Sequence, residues 1–201
     1  MIELFVDTTS NLITVSLNKN GVINTKQQLS NMEHSNFVMV MIDNILKEDN
    51  ITIKDVNKII VCNGPGSFTG IRIGVSICKT IAYCLNIPIT TISALEVMSI
   101  NNDCLTLLHD NNNHYYYGFY KDNKIIKEGL DTLDNILNDK EVLGINKAYS
   151  KELYKDINTT IYNIDYKKIF EYCSNRTLVN PHHVNPYYLK LTSAQIGLLN
   201  D

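Results

Sequence analysis

Asn63-Gly64-Pro65-Gly66-Ser67-Phe68-Thr69-Gly70-Ile71-Arg72-Ile73-Gly74 follows a short apolar run, Ile59-Ile60-Val61-Cys62, and opens a long apolar stretch with helical spacing. Glycines and a proline between a strand and a helix dictate a sharply shaped turn. Amide N–H groups at a helix start lack intrahelical partners and favour an anion, which makes the turn a candidate phosphate cradle. Its Gly-x-Gly-x-x-x-Gly spacing is not the Rossmann fingerprint, and without a Lys-Ser/Thr ending it is not a Walker A loop. Two readings stand at this point: an anion or partner site, and a tight strand-to-helix turn.

Outward from this turn, residues 2–6 read as a strand ending in Asp7-Thr8-Thr9-Ser10. Residues 12–17 alternate, Lys19-Asn20-Gly21 signals a hairpin, and residues 22–29 return. A helix over about 33–47, a strand at 59–62, a helix over about 69–85 and a strand at 87–92 follow. Ser93-Ala94-Leu95-Glu96 then reads as a capping box opening another helix. The second half repeats this order. Strand 104–109 ends in Asp110-Asn111-Asn112-Asn113, residues 114–120 alternate, Lys121-Asp122-Asn123 turns, and 125–128 returns. A helix at 133–138, a strand at 142–145, a helix at 150–154, a strand at 160–164 and a helix at 167–173 complete it. The repeat predicts an α/β protein of two lobes, each a mixed sheet flanked by helices. Residues 1–100 form the first lobe, and 101–201 a smaller, eroded second one.

At 201 residues and 44% apolar, the chain can bury a good core as one domain or two small lobes. Its net charge is −3 and no run of Lys/Arg forms a stripe, so the sequence reads as a poor nucleic-acid binder by itself. The five cysteines show no metal spacing, and most lie in apolar runs, which suits reduced thiols and a cytoplasmic location. The N-terminus lacks a basic segment before a long apolar core, so no signal peptide is expected; no stretch approaches a membrane span.

In the helix over 33–47, Phe37, Val38, Met41, Ile42, Ile45 and Leu46 make one broad apolar stripe, and Met39 and Val40 add apolar surface off it. The helix over 69–85 carries Ile71, Ile73, Val75, Ile77, Cys78, Ile81, Ala82 and Leu85, with Gly70, Gly74 and Cys78 at four-residue spacing. Glycine inside a helix costs about 1 kcal/mol relative to alanine, so Gly74 calls for a packing reason. A helix apolar on more than one face is either deeply buried or shared between its own sheet and another chain.

Catalytic equipment is thin. Asp7 with Thr8 can orient a metal–phosphate group or close an Asx-type turn. His34 opens a helix beside Glu33 and Ser35. His109 and His114 flank the Asn run without a Cys or carboxylate to complete a ligand set, and His182-His183 lie between Pro181 and Pro186 in an expected loop. Ser67 is the best placed hydroxyl, but it has no evident base and no Gly-x-Ser-x-Gly elbow is present.

Together, Val6-Asp7-Thr8-Thr9, His34-Ser35, the block from Asn63 to Gly74, Ile87-Pro88, Ser93-Ala94-Leu95-Glu96 and Pro186-Tyr187-Tyr188-Leu189-Lys190 resemble the TsaB (YeaZ) family, strongly over residues 1–100 and weakly beyond. The resemblance implies an actin-like (ASKHA, ribonuclease H-like) fold. It further implies a non-catalytic subunit in the synthesis of N6-threonylcarbamoyladenosine in tRNAs reading codons that start with A. The implied partners are TsaD, which transfers the group, the ATPase TsaE, and tRNA through the complex, with a homodimer when TsaD is absent and no membrane. ATP and metal are expected on the partner subunits and no cofactor on this chain. The catalytic relative carries two metal-binding histidines four apart after the strand matching 87–92; here those positions are Ser93 and Val97. The implied partner face is His34, Phe37, Val38, Met41, Ile42 and Ile45 with Gly70, Ile73, Gly74, Ile77 and Ile81. Asp7, Thr8, Gly64, Gly66 and Ser67 become vestigial phosphate-type turns. The family's Asp-Ala-Arg at the start of the second lobe is Asp110-Asn111-Asn112 here, and Lys190 stands where arginine is common. Two further readings compete. One is an actin-like ATPase or phosphotransferase using Asp7, Thr8 and the glycine turn for phosphates and Mg²⁺. The other, a peptidase, lacks a metal pair or a nucleophile–base pair.

Overall fold

In the computed structural model, which describes residues 1–30, 34–110, 113–139, 148–150, 160–161 and 163–189 (His34 by its backbone), the chain builds two five-stranded mixed sheets. The first comprises β1 (Ile2–Asp7), β2 (Leu12–Lys19), β3 (Val22–Leu29), β4 (Lys58–Cys62) and β5 (Ile89–Ile92), in the order β3-β2-β1-β4-β5. The hairpin strands pair antiparallel, whereas β1, β4 and β5 run parallel. Asn20 and Gly21 take φ of 55° and 90°, as a two-residue turn with both central residues left-handed requires.

The second sheet holds β6 (Cys104–Asp110), β7 (His114–Lys121), β8 (Lys124–Asp131), β9 (Ala148–Ser150) and β10 (Thr160–Ile161). Its order, β8-β7-β6-β9-β10, is that of the first sheet, with the same pattern of antiparallel and parallel pairs. Asp122 and Asn123 repeat the left-handed hairpin turn at φ 51° and 57°. The expected repeat therefore stands, with one correction. Ser150, expected to open a helix, ends β9, which is fixed by parallel pairing with Leu105 to Leu107 of β6. The expected strand at 142–145 and the rest of that helix lie outside the described residues.

Five helices are described: α1 (His34–Glu48), α2 (Phe68–Leu85), α3 (Ala94–Ser99), α4 (Leu133–Leu137) and α5 (Tyr166–Cys173). Strand alternation distributes them. In β1, Leu4 and Val6 face α1 and α2 in one core, while Phe5 faces the opposite way into a second core. That second core lies between the sheets. Phe5, Ile60 and Ile92 meet Leu108, Tyr116 and Tyr120 across α3 and α5. The two helices exchange sides: α3 follows the first sheet but packs on β6 and β7, and α5 follows the second but packs on β2 and β3. The chain then returns along the first lobe, where Val179 bridges Ile89 and Val184 joins the core under α1 and α2. A division at residue 100 separates the sheets but not the helices.

The interior between the lobes is pinned by polar contacts as well. Buried Lys58 reaches the C-terminal end of α5, donating to the carbonyls of Cys173 and Ser174. A cation there complements the negative end of the helix dipole. By length and composition α2 alone among the described helices could cross a membrane, which corrects the expectation that no stretch approaches a span. Ile71, Val75, Cys78 and Ala82 place it instead against the first sheet.

Candidate functional site

The glycine turn is closed by the chain's own backbone. Gly64 and Gly66 take φ of 125° and 147°, a region that strains any residue with a Cβ. A Cβ on Gly64 would lie 2.3 Å from the carbonyl oxygen of Tyr187, and one on Gly66 would lie 2.1 Å from that of Thr9. On Gly74 it would lie 2.2 Å from the hydroxyl of Thr8, which donates to the Gly70 carbonyl at 2.7 Å. That is the packing reason for glycine inside α2. The backbone completes the closure. Ser67 N donates to Thr9 O at 2.8 Å, Ala94 N to Gly64 O at 2.7 Å, and Tyr187 N to Asn63 O at 2.7 Å. Ser67 caps α2 through its side chain, which accepts from Gly70 N at 3.2 Å.

This corrects the phosphate-cradle reading. Carbonyl oxygens stand where a phosphate would press against Gly64 and Gly66, and an anion is repelled by them. Ser67 N and Gly70 N, two amides of the kind a phosphate would use, are spent on Thr9 and on the cap. Asp7 is buried beside the turn and accepts from Thr9 N at 2.8 Å and Thr9 Oγ1 at 2.6 Å, the Asx-type geometry.

The expected partner face divides. Val38, Met41, Ile42 and Ile45 are between 0% and 7% exposed and belong to the chain's own core, so they are withdrawn as contact residues. The broad stripe of α1 is its sheet-facing side. Gly70 and Gly74 are buried as well, against Thr8. Phe37, Ile73, Ile77 and Ile81 are partly buried at the edge of that core. Outward-facing apolar surface comes from Met39 and Val40, which are 48% and 55% exposed. The His34 side chain and Lys190 lie outside the described residues, as do Asn111 and Asn112.

Ser93 and Val97 are committed to structure. Ser93 accepts from Glu96 N at 3.0 Å and Glu96 accepts from Ser93 N at 3.3 Å, the expected capping box, while Val97 is fully buried between the sheets. The same Glu96 takes a two-pronged contact from Arg176 at 2.8 and 3.1 Å and the hydroxyl of Tyr172 at 2.8 Å. Burial pushes the Tyr172 phenol up to about 12, with the nearby Glu96 carboxylate as a further cause. Arg176 also donates to Thr91 O at 2.7 Å, joining β5, α3 and α5. The sequence singled out Glu96 only as a cap. One of two arginines in a lysine-rich chain was the available signal for the rest. His109 packs its ring on Tyr115 at 5.1 Å, and His182-His183 occupy a short 3-10 turn rather than a loop.

The family model described as "TsaD: tRNA N6-adenosine threonylcarbamoyltransferase" matches residues 7–173. The chain is 35% identical over 102 residues, half of its length, to the tRNA threonylcarbamoyladenosine biosynthesis protein TsaB of Bacillus subtilis, and 32% identical over 96 residues to that of Escherichia coli. These matches span 44% and 42% of the two relatives, a little under half their length. Among solved structures, a Pseudomonas aeruginosa protein described as similar to peptidase YEAZ superposes with a TM-score of 0.75 over 94% of this chain and 99% of that one, at 15% identity. That likeness carries the fold, the two lobes of mixed sheet flanked by helices that the repeat predicts, of the actin-like type that the family resemblance implies. With a family model covering most of its length and TsaB relatives across its first lobe, this chain belongs to the TsaD threonylcarbamoyltransferase family, on its TsaB (YeaZ) branch.

Proposed function

We propose that the chain is a non-catalytic scaffold and activating subunit in the synthesis of threonylcarbamoyladenosine in tRNA. In this reading it docks on TsaD, which moves the threonylcarbamoyl group from threonylcarbamoyl-AMP to N6 of the adenine beside the anticodon. ATP and metal reside on the partner subunits, TsaE joins the assembly, and the chain pairs with itself when TsaD is absent. The observation that carries the reading is the filled glycine turn. A phosphate-type turn occupied by Thr9 and Tyr187 of the same chain retains a different task, that of fixing where α2 begins. The packed interior between the sheets, where a two-lobed ATPase would hold its nucleotide, supports the same view, as do Ser93 and Val97 at the positions of the transferase's histidines.

The docking surface in this proposal is the partly exposed ridge Ile73, Ile77 and Ile81, with Phe37 and the exposed Met39 and Val40 of α1. A carboxylate introduced into such a ridge is stripped of water on docking, a cost of several kcal/mol. Ile77→Asp is expected to abolish co-elution with TsaD on a sizing column while the free chain keeps its melt. Unchanged co-elution would overturn the docking surface, and tight ATP–Mg²⁺ binding by this chain alone in calorimetry would overturn the scaffold role in favour of an ATPase. Sedimentation as a monomer at high concentration would overturn the self-pairing.

A further inference from the structure

Neither α2 nor residues 174–189 contains an aspartate or glutamate, in a chain that has 21 of them. The structure lays these two segments side by side. Tyr188 stacks on Phe68 with ring centroids 5.1 Å apart at the start of α2. Farther along, Lys79 Nζ donates to Val184 O at 3.2 Å. Near the end of α2, His182 meets the Tyr83 ring edge-on at 4.6 Å. Phe68, Arg72, Lys79 and Tyr83 recur at spacings of four and seven, so they form one stripe, on a different flank from Ile73, Ile77 and Ile81. Phe68, Tyr83 and Tyr188 are 49%, 58% and 41% exposed, and Arg72, also exposed, holds its guanidinium 5.2 Å above the Phe68 ring.

We propose that this flank of α2, with the segment 182–188 beside it, is an RNA-contacting face. Exposed rings offer stacking surface for bases, and the cations Arg72 and Lys79, on a helix without Asp or Glu, attract phosphates. The stripe from Phe68 to Tyr83 runs about 22 Å at about 1.5 Å per residue, the length of roughly six bases stacked at about 3.4 Å. Neither segment brings an acidic residue of its own, and the two carboxylates that reach residues 174–189 from other elements are engaged there, Glu128 by the Tyr187 hydroxyl and Glu96 by Arg176, which leaves Arg72 and Lys79 as the charges of the stripe. The choice of RNA as occupant rests on the proposed role in tRNA modification. The placement fits that role, since a partner docked on the isoleucine ridge leaves this flank open.

The probe is a fluorescein-labelled, unmodified tRNA transcript with adenine beside its anticodon, titrated with the full chain and read by anisotropy at 50 and 200 mM KCl. Binding is expected with Kd of about 10⁻⁴ to 10⁻⁶ M, weakening with salt. Arg72→Glu is expected to raise Kd at least tenfold, and Tyr188→Ala and Tyr83→Ala severalfold, each variant keeping the wild-type melt and its co-elution with TsaD. Lys124→Glu, on the second sheet, is expected to leave Kd unchanged. No anisotropy change up to about 100 µM, the weak end of that range, would overturn the proposal, as would equal losses from Arg72→Glu and Lys124→Glu. Either result with co-elution intact refutes the RNA face alone. Failed co-elution with RNA binding intact refutes the docking reading alone.

Discussion

The two sheets share strand order, pairing directions and hairpin turns, yet among the described residues their outer faces are covered differently. The first lies under α1 and α2, of 15 and 18 residues; the second is described with α4, of five. The core beneath α1 and α2 draws on β1, β2, β4 and β5. The one beneath α4 consists of Leu105, Leu107, Tyr115, Tyr117 and Ile136. A common strand skeleton therefore leaves function open, and the helices laid on it decide which lobe presents a surface. The turns after β1 and β6 differ likewise. The first is locked into the glycine turn through Thr8 and Thr9, whereas Asp110 ends β6 opposite His114 in the β6–β7 ladder.

The most severe way to probe the difference is to charge the outer core of the first lobe. Ile45→Asp buries an unpaired carboxylate at a fully enclosed position, a cost of more than about 4 kcal/mol against a typical total stability of about 5–15 kcal/mol. Loss of the cooperative melt by circular dichroism is expected, whereas Ile77→Asp should melt close to wild type. Similar melts for both would show that α1 is not held as described. Next in size is Gly66→Ala, where strained backbone and the Thr9 carbonyl combine. About 3 kcal/mol is expected, roughly 6–12 °C in Tm. Gly21→Ala, at φ 90° with nothing within 4 Å of the added Cβ, should cost about 1 kcal/mol. Equal costs would remove the closure of the glycine turn from its role.

Arg176→Ala tests what joins the lobes. Its side chain is 31% exposed and that of Glu96 16%, so about 1–3 kcal/mol is expected by urea denaturation, discounted for solvent screening. A loss below about 0.5 kcal/mol would mean that apolar packing alone holds α3 and α5. The smallest effect compares the lobes by pH. Hydrogen bonds from Asn135 and Thr132 hold the Asp131 carboxyl below its ordinary 3.8, as those from Thr52 do for Asp55 in the first lobe. A lowered folded pKa contributes stability above the unfolded value and loses it as pH falls through the folded one. The Tm gap between wild type and Asp131→Asn should be widest at pH 7 and narrow below about 3.8; a gap independent of pH would refute the assignment.

The strands of both hairpins were legible because period-two alternation and Asn-Gly or Asp-Asn turns are local signals, whereas β9, three residues fixed by pairing with β6, was not. The capping box at Ser93 was legible for the same reason. The glycine turn was legible as a turn but not in its contents, because Tyr187 arrives from 123 residues downstream through its backbone, which no side-chain pattern announces. The α1 stripe was visible, yet apolar periodicity does not say whether a sheet or a partner faces it; Val38, Met41, Ile42 and Ile45 proved to face the sheet. The side-by-side run of α2 and 182–188 was hidden for the same reason as Arg176 beside Glu96. Both bring together residues about 80 or more positions apart.

The exchange of α3 and α5 sets an order on the birth of the protein. As the chain leaves the ribosome, the first sheet can close over α1 and α2, but Phe5, Ile60 and Ile92 wait for α5, encoded more than 70 residues later. Until then one apolar wall stands open to chaperones and to neighbouring nascent chains. Messages truncated anywhere before residue 166 should accordingly yield insoluble product rather than a shortened, working first lobe.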